Sequence, residues 1–100
     1  MKLYVSQLRD YLRQIDNENL EAVKADKPPK NIDLMAAYCP KVKRYKVWIK
    51  VTNGAKVEIL HVITARFLER QFATADAIFS FVRKELERNI SVQFLSYKEL

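Results

Sequence analysis

Arg44-Tyr45-Lys46-Val47-Trp48-Ile49-Lys50-Val51-Thr52-Asn53-Gly54 is the stretch on which the fold turns. Tyr45, Val47, Ile49 and Val51 alternate with Arg44, Lys46, Trp48, Lys50 and Thr52. That is the two-residue period of a strand with one buried face. Asn53-Gly54 follows, a dipeptide that favours the tight turn of a hairpin. A second strand is expected from Lys56 to about Ala65, with Val57, Ile59, His61 and Ile63 on one face. The central hairpin thus covers about residues 44–65. A two-residue Asn53-Gly54 turn sets Val51 opposite Lys56 and Ile49 opposite Glu58, which mixes apolar and charged positions. Sliding by one residue pairs Val51 with Val57, Ile49 with Ile59 and Tyr45 with Ile63. Burial should decide between registers, and it favours the second, with an irregular or bulged turn.

Before the hairpin, Leu8, Tyr11, Leu12 and Ile15 mark one face of a helix over about residues 5–15, with Ser6 as its cap. Asp16-Asn17-Glu18-Asn19 reads as a break, because Asn and Asp bond their own backbone and favour turns. Leu20 to Lys24 fits a short helix or a strand. Asp26-Lys27-Pro28-Pro29-Lys30 is a loop. Asn31 suits the cap of a short helix from Ile32 to Tyr38, stopped by Pro40, with Met35, Ala36 and Cys39 on its buried side.

After the hairpin, Arg66 to Phe72 is ambiguous and offers a third strand. Thr74 then caps a helix over about residues 74–88, with Asp76 in its first turn facing the helix dipole. Ala75, Ile78, Phe79, Val82 and Leu86 form its apolar stripe, and Asn89 suits a left-handed end. Ile90 to Tyr97 reads as a last strand, with Val92 and Phe94 inward. The expected fold is α+β: a small antiparallel sheet of three to four strands with both helices packed on one face. At 100 residues, a single domain is expected.

Hydrophobic residues make up 49% of the chain, enough for a core and too many for a disordered tail. No apolar run approaches the roughly 18 residues of a membrane span, so no membrane contact and a cytoplasmic location are expected. Cys39 is the lone cysteine, which rules out an internal disulfide. No Cys/His set has metal spacing, and Gly54 is the one glycine, so no phosphate-cradling loop exists. No metal and no cofactor are expected.

The net charge of +6 has a location. From Leu34 to Val57 there is no acidic residue, while Lys41, Lys43, Arg44, Lys46, Lys50 and Lys56 carry six positive charges. Elsewhere 12 basic residues face 12 acidic ones, so this window holds the whole excess.

Placed on a strand, Arg44, Lys46, Trp48 and Lys50 share the face away from the core. Lysines neutralise phosphates and release counterions, and an indole stacks on an unpaired base. A two-stranded ribbon also fits the major groove of DNA. The competing reading is an ordinary solvated face, or a Trp48 covered by the N-terminal helix with lysines snorkelling outward. His61 is the one histidine; the favoured register turns it inward beside Val47, as a packed residue. A small ribonuclease using His61 is the single enzyme worth naming, because a general base needs a partner within reach.

The stretch from Arg44 to Leu86 also resembles the arm-binding domains of phage-type integrases, through Phe72-x-Thr74 at the start of the helix. The resemblance implies a small antiparallel sheet followed by a helix. The chain departs from that pattern at Ile78, where a small Ala is expected, and continues beyond it at both ends.

These readings converge on a non-enzymatic nucleic-acid-binding domain. Lys46, Trp48 and Lys50 are at its centre, Lys41, Lys43 and Arg44 contact phosphates, and Lys56 extends the patch. The alternative is a small modulator, an inhibitor or adaptor of the kind phages and plasmids encode, using the same cations on an acidic or nucleic-acid-binding surface of a protein partner. Either a monomer or a homodimer fits the sequence.

Overall fold

In a computed structural model that describes residues 1–95, the central alternation forms a strand as expected. The elements are β1 (Lys2–Leu3), α1 (Val5–Lys24), β2 (Asn31–Cys39), β3 (Arg44–Asn53), β4 (Lys56–Val62), β5 (Gln71–Phe72), α2 (Ala75–Lys84) and β6 (Val92–Leu95). The class is α+β, but the sheet is larger than expected and mixed. Its six strands run in the order β1-β4-β3-β2-β6, with β5 beside the start of β3. The antiparallel meander β2-β3-β4 is the centre. β1 and β6 add in parallel, on β4 and β2 respectively. Parallel neighbours need long crossovers rather than hairpins, so no turn motif announces them.

The segment expected as a short helix is β2. Leu34, Met35, Ala36, Ala37 and Cys39 are all buried, as β2 lies between β3 and β6. A strand whose side chains are buried on both faces loses its alternation and reads as an unbroken apolar run, which periodicity cannot distinguish from a helix.

The expected break at Asp16-Asn17-Glu18-Asn19 is helical, and α1 continues to Lys24. The side chains that would have turned the backbone are occupied elsewhere. Asp16 accepts both terminal nitrogens of Arg88, at 2.9 and 3.1 Å. Glu18 takes the Lys30 ammonium at 2.9 Å. The Asn19 amide accepts the Lys30 N–H at 2.8 Å and donates to the Lys30 carbonyl at 3.0 Å. At the other end the cap is Tyr4 rather than Ser6, and Gln7 Oε1 accepts the Tyr4 N–H at 3.0 Å. The chain stays extended through Leu3 because His61 and Ile63 donate their N–H groups to the Met1 and Leu3 carbonyls.

The hairpin register differs from both expected ones. Val51 lies opposite Glu58, Ile49 opposite Leu60 and Trp48 opposite His61, around a two-residue Gly54-Ala55 loop. Gly54 has φ +62 at the first loop position, where a primed turn needs it. This register buries Leu60 and Val62 under the helices and keeps Glu58 on that side too, where Tyr11 donates to it. Val57, Ile59, His61 and Ile63 do share one face, but it is the face away from the helices. The strand ends at Val62 rather than Ala65, and Ile63 forms a lone bridge with Glu69. The ambiguous 66–72 segment is mostly loop, closed by β5.

Thr74 caps α2 as expected, its Oγ1 accepting the Ala77 N–H at 3.1 Å, and Asp76 is in the first turn. The helix stops at Lys84, and the left-handed residue is Glu87 (φ 55), not Asn89. Phe81, with Ile78, Val82 and Leu86, faces the core; Phe79 is 45% exposed instead of buried. In β6, Val92 packs against the core but Phe94 is 48% exposed. The last two positions of the expected 90–97 strand, including Tyr97, lie outside the described residues.

Both described helices pack on one side of the sheet. Leu8, Leu12 and Ile15 of α1 and Ile78, Phe81, Val82 and Leu86 meet Leu34, Ala36, Val47, Ile49, Val51, Leu60, Val62 and Phe72. Ion pairs tie the helical layer across: Arg13 to Glu87 at 2.7 Å, and Arg70 to Glu85 through two 2.8 Å bonds. The Arg70 guanidinium also lies over the Phe72 and Phe81 rings. Among the described residues, no helix is long and apolar enough to cross a membrane.

Candidate nucleic-acid interface

Residues opposite one another in a sheet project to the same side. Register therefore maps the face turned away from the helices. One row crosses Gln93, Met35, Trp48, His61 and Lys2. The row on one side is Asp33, Lys50 and Ile59. The row on the other is Leu95, Ala37, Lys46 and Gln71. Trp48 is at the centre, half-buried, and Lys46 and Lys50 flank it about 7 Å away along the strand. The covered-tryptophan reading fails: α1 packs on the opposite face. Met35 and Ala37, opposite Trp48 and Lys46 on this face, are buried, and among the described residues no helix packs on this side.

The expected site residues divide into three places. Arg44, Lys46, Trp48 and Lys50 share the open face. Lys41 and Lys43 are exposed in the β2–β3 loop, where Lys43 (φ 54) donates its N–H to the Cys39 carbonyl at 2.9 Å. They extend the Arg44 end of the track. Lys56 does not belong to it. It pairs with Asn53 at the far end of the hairpin and, by alternation, projects toward the helix side, lining a cleft with Tyr11, Lys30 and Glu58. A residue next to a turn changes sides with a one-residue change of register, so sequence reading misplaced it.

His61 is corrected in the same way. It projects outward opposite Trp48, with Nδ1 3.7 Å from Glu69 Oε1. That separation is longer than a hydrogen bond. Asp33 and Glu69 are the acidic groups the register places on this face. Lys2 joins the face through β1, a strand too short to leave a periodic signal.

Charge pairing sharpens the picture. Arg9, Arg13, Lys24, Lys30, Arg70 and Arg88 are all engaged with carboxylates. Among the described residues, no ion pair reaches Lys2, Lys41, Lys43, Arg44, Lys46 or Lys50. Most of the ion pairs thus lie on the helical side, where Lys56, Arg83 and Lys84 nevertheless have none among the described residues, and the sheet face keeps its cations. Tyr11 and Glu18, both away from this face, have displaced titrations. Its hydrogen bond to Glu58, with burial, pushes the Tyr11 phenol up to about 12. The Lys30 ammonium holds the Glu18 carboxyl below the usual range. Among the described residues, no group of three His, Cys, Asp or Glu side chains is placed to hold a metal ion. In comparisons with known proteins, no family model, no curated protein and no solved structure matches the chain.

Proposed function

We propose that this protein is a non-enzymatic nucleic-acid-binding domain whose contact surface is the open face of the sheet. One observation carries the reading: Trp48 lies at the centre of that face, between Lys46 and Lys50, and neither lysine has a carboxylate partner among the described residues. Cations free of internal pairing release counterions when they meet phosphates, and the aromatic ring adds a surface that water solvates poorly. Arg44, Lys43 and Lys41 continue the positive track for about 20 Å from Lys50 to the β2–β3 loop. Reversing both central charges, Lys46→Glu with Lys50→Glu, abolishes binding of labelled oligonucleotides and flattens its salt dependence. Absence of any binding by the unaltered protein at low salt sinks the reading.

A second reading, a modulator of a protein partner, has its own observation. Tyr38, Tyr45, Phe94 and Phe79 form a run of ring contacts at 5.1, 5.9 and 6.1 Å, and Tyr38, Phe79 and Phe94 are exposed. Aromatic side chains concentrate at protein interfaces. A partner that survives nuclease treatment and is lost on Phe79→Ala favours this reading; retention through nucleic acid alone excludes it.

A further inference from the structure

The face that binds is wide and nearly continuous, and its width limits what it can hold. Five strand positions from β1 to β6 extend about 19 Å at the usual strand spacing. The major groove of DNA is about 12 Å wide. β3 is interior to the sheet, flanked by β2 and by β4 and β5, so it is not the free two-stranded ribbon that such a groove admits. A duplex resting on this face offers phosphates and hides the flat surfaces of its bases. The cations would then find partners, and Trp48 would not.

A second feature lies at the rim. The loop after β4 raises Phe67 and Leu68 into solvent, Phe67 at 71% exposure and φ 63. A bulky residue at positive φ is strained, and such strain concentrates at functional positions. The loop that holds it is braced by Thr64 N–H to the Leu68 carbonyl, Phe67 N–H to the Thr64 carbonyl and Arg70 N–H to the Val62 carbonyl. The Phe67 ring rests against Tyr4 at 5.8 Å. It lines a cleft with Lys2, Thr64, Leu68, Glu69 and Gln71. Lys2, Glu69 and Gln71 belong to the open face by register, so this cleft adjoins the central row. Lys2 stands two strands from Trp48, about 10 Å away.

We propose that the ligand of the open face is a single-stranded nucleic acid, with one base stacked on Trp48 and a nearby base of the same strand on Phe67. This rests on the nucleic-acid reading and narrows it. Unpaired bases present the flat surfaces that these rings need, and the cations along β3, with Lys2 between the rings, hold the backbone. DNA and RNA share this chemistry, and the assay separates them.

The chain has a single tryptophan, so emission excited at the red edge, where tyrosine does not absorb, reports on the centre of the face alone. The test titrates the full chain with oligo-dT, oligo-rU and a mixed-sequence duplex of equal length. The single strands quench Trp48 emission and the duplex does not. Trp48→Ala weakens single-strand affinity, read by anisotropy, about ten- to a hundred-fold, while Trp48→Phe keeps most of it. Phe67→Ala weakens it about tenfold with unchanged thermal unfolding, and Phe67→Tyr restores it. Equal affinity for duplex, unaffected by Trp48→Ala, overturns this proposal and leaves the nucleic-acid reading standing. Normal binding by Phe67→Ala overturns the second stacking position. No binding to any of the three probes overturns both readings together.

Discussion

Tyr11 donates its hydroxyl hydrogen to Glu58 across the contact between α1 and β4. A tyrosine from the apolar stripe of the helix and a strand glutamate thereby hold α1 to the sheet. The carboxylate stabilises the neutral phenol, and the tyrosine pKa rises from 10.0 to about 12. A group whose folded pKa is raised contributes stability in full below its unfolded value and loses it as pH rises through the folded one. The contribution of Tyr11 is therefore complete below pH 10 and lost toward pH 12. Phenolate absorbance should show one late step near pH 12 in the native protein, missing in Tyr11→Phe. The same variant should lose about 1 kcal/mol of stability at neutral pH in urea unfolding, the usual net worth of one such bond. Glu18 runs the other way: its lowered pKa favours the fold above the ordinary carboxylate range and ceases to do so as pH falls through the depressed value.

α1 shows how an element outlasts its local preference. Asp16, Asn17 and Asn19 are poor helix formers, yet the helix runs to Lys24. Asn19 carries much of the reason, because its amide bonds both backbone groups of Lys30 and fixes the loop that feeds β2. Asn19→Ala sets two effects against each other. Helix propensity alone gains about 0.5 kcal/mol. Losing two bonds at a half-buried site costs about 1–2 kcal/mol. A net loss of about 1 kcal/mol is expected in urea unfolding. A stabilised variant would show that the Lys30 contacts contribute nothing and that the helix extends for another reason.

At the scale of the molecule, most of the ion pairs among the described residues lie on the helical side of the sheet, although Arg83 and Lys84 of α2 have none, and the cations of the sheet face are unpaired there. Placement, not net charge, should then govern binding. Lys46→Glu with Lys50→Glu and Arg83→Glu with Lys84→Glu each lower the net charge from +6 to +2, since two reversals remove four charges. Arg83 and Lys84 are exposed on α2, which packs on the opposite side of the sheet. The first pair should abolish oligonucleotide binding; the second should leave affinity within a few-fold. Equal losses would mean that the overall field, rather than this face, attracts the ligand. Neutralising Lys46 or Lys50 singly should lower the slope of log affinity against log salt by about 0.7 each.

The sequence by itself determined whatever repeats within one element. The alternation over Arg44–Thr52, the Thr74 cap and the apolar positions Leu8, Leu12, Ile15, Ile78, Val82 and Leu86 are local patterns, and each has its expected place. So has the clustering of unopposed cations, which is a property of composition. Tertiary structure decided what depends on neighbours distant in the chain. Ile32–Tyr38 became a strand because β3 and β6 pair with both of its edges. Asp16–Asn19 stayed helical because Arg88 and Lys30 engaged the side chains that would have turned it. Register was decided by which of Leu60 and Ile59 the helices could bury, and that choice turned His61 beside Trp48 and removed Lys56 from the track. Phe67 and Lys2 left no periodic trace, since one is in a loop and the other in a two-residue strand. Side-chain period fixes that a strand has two faces; only the layer packed against it fixes which of them is open.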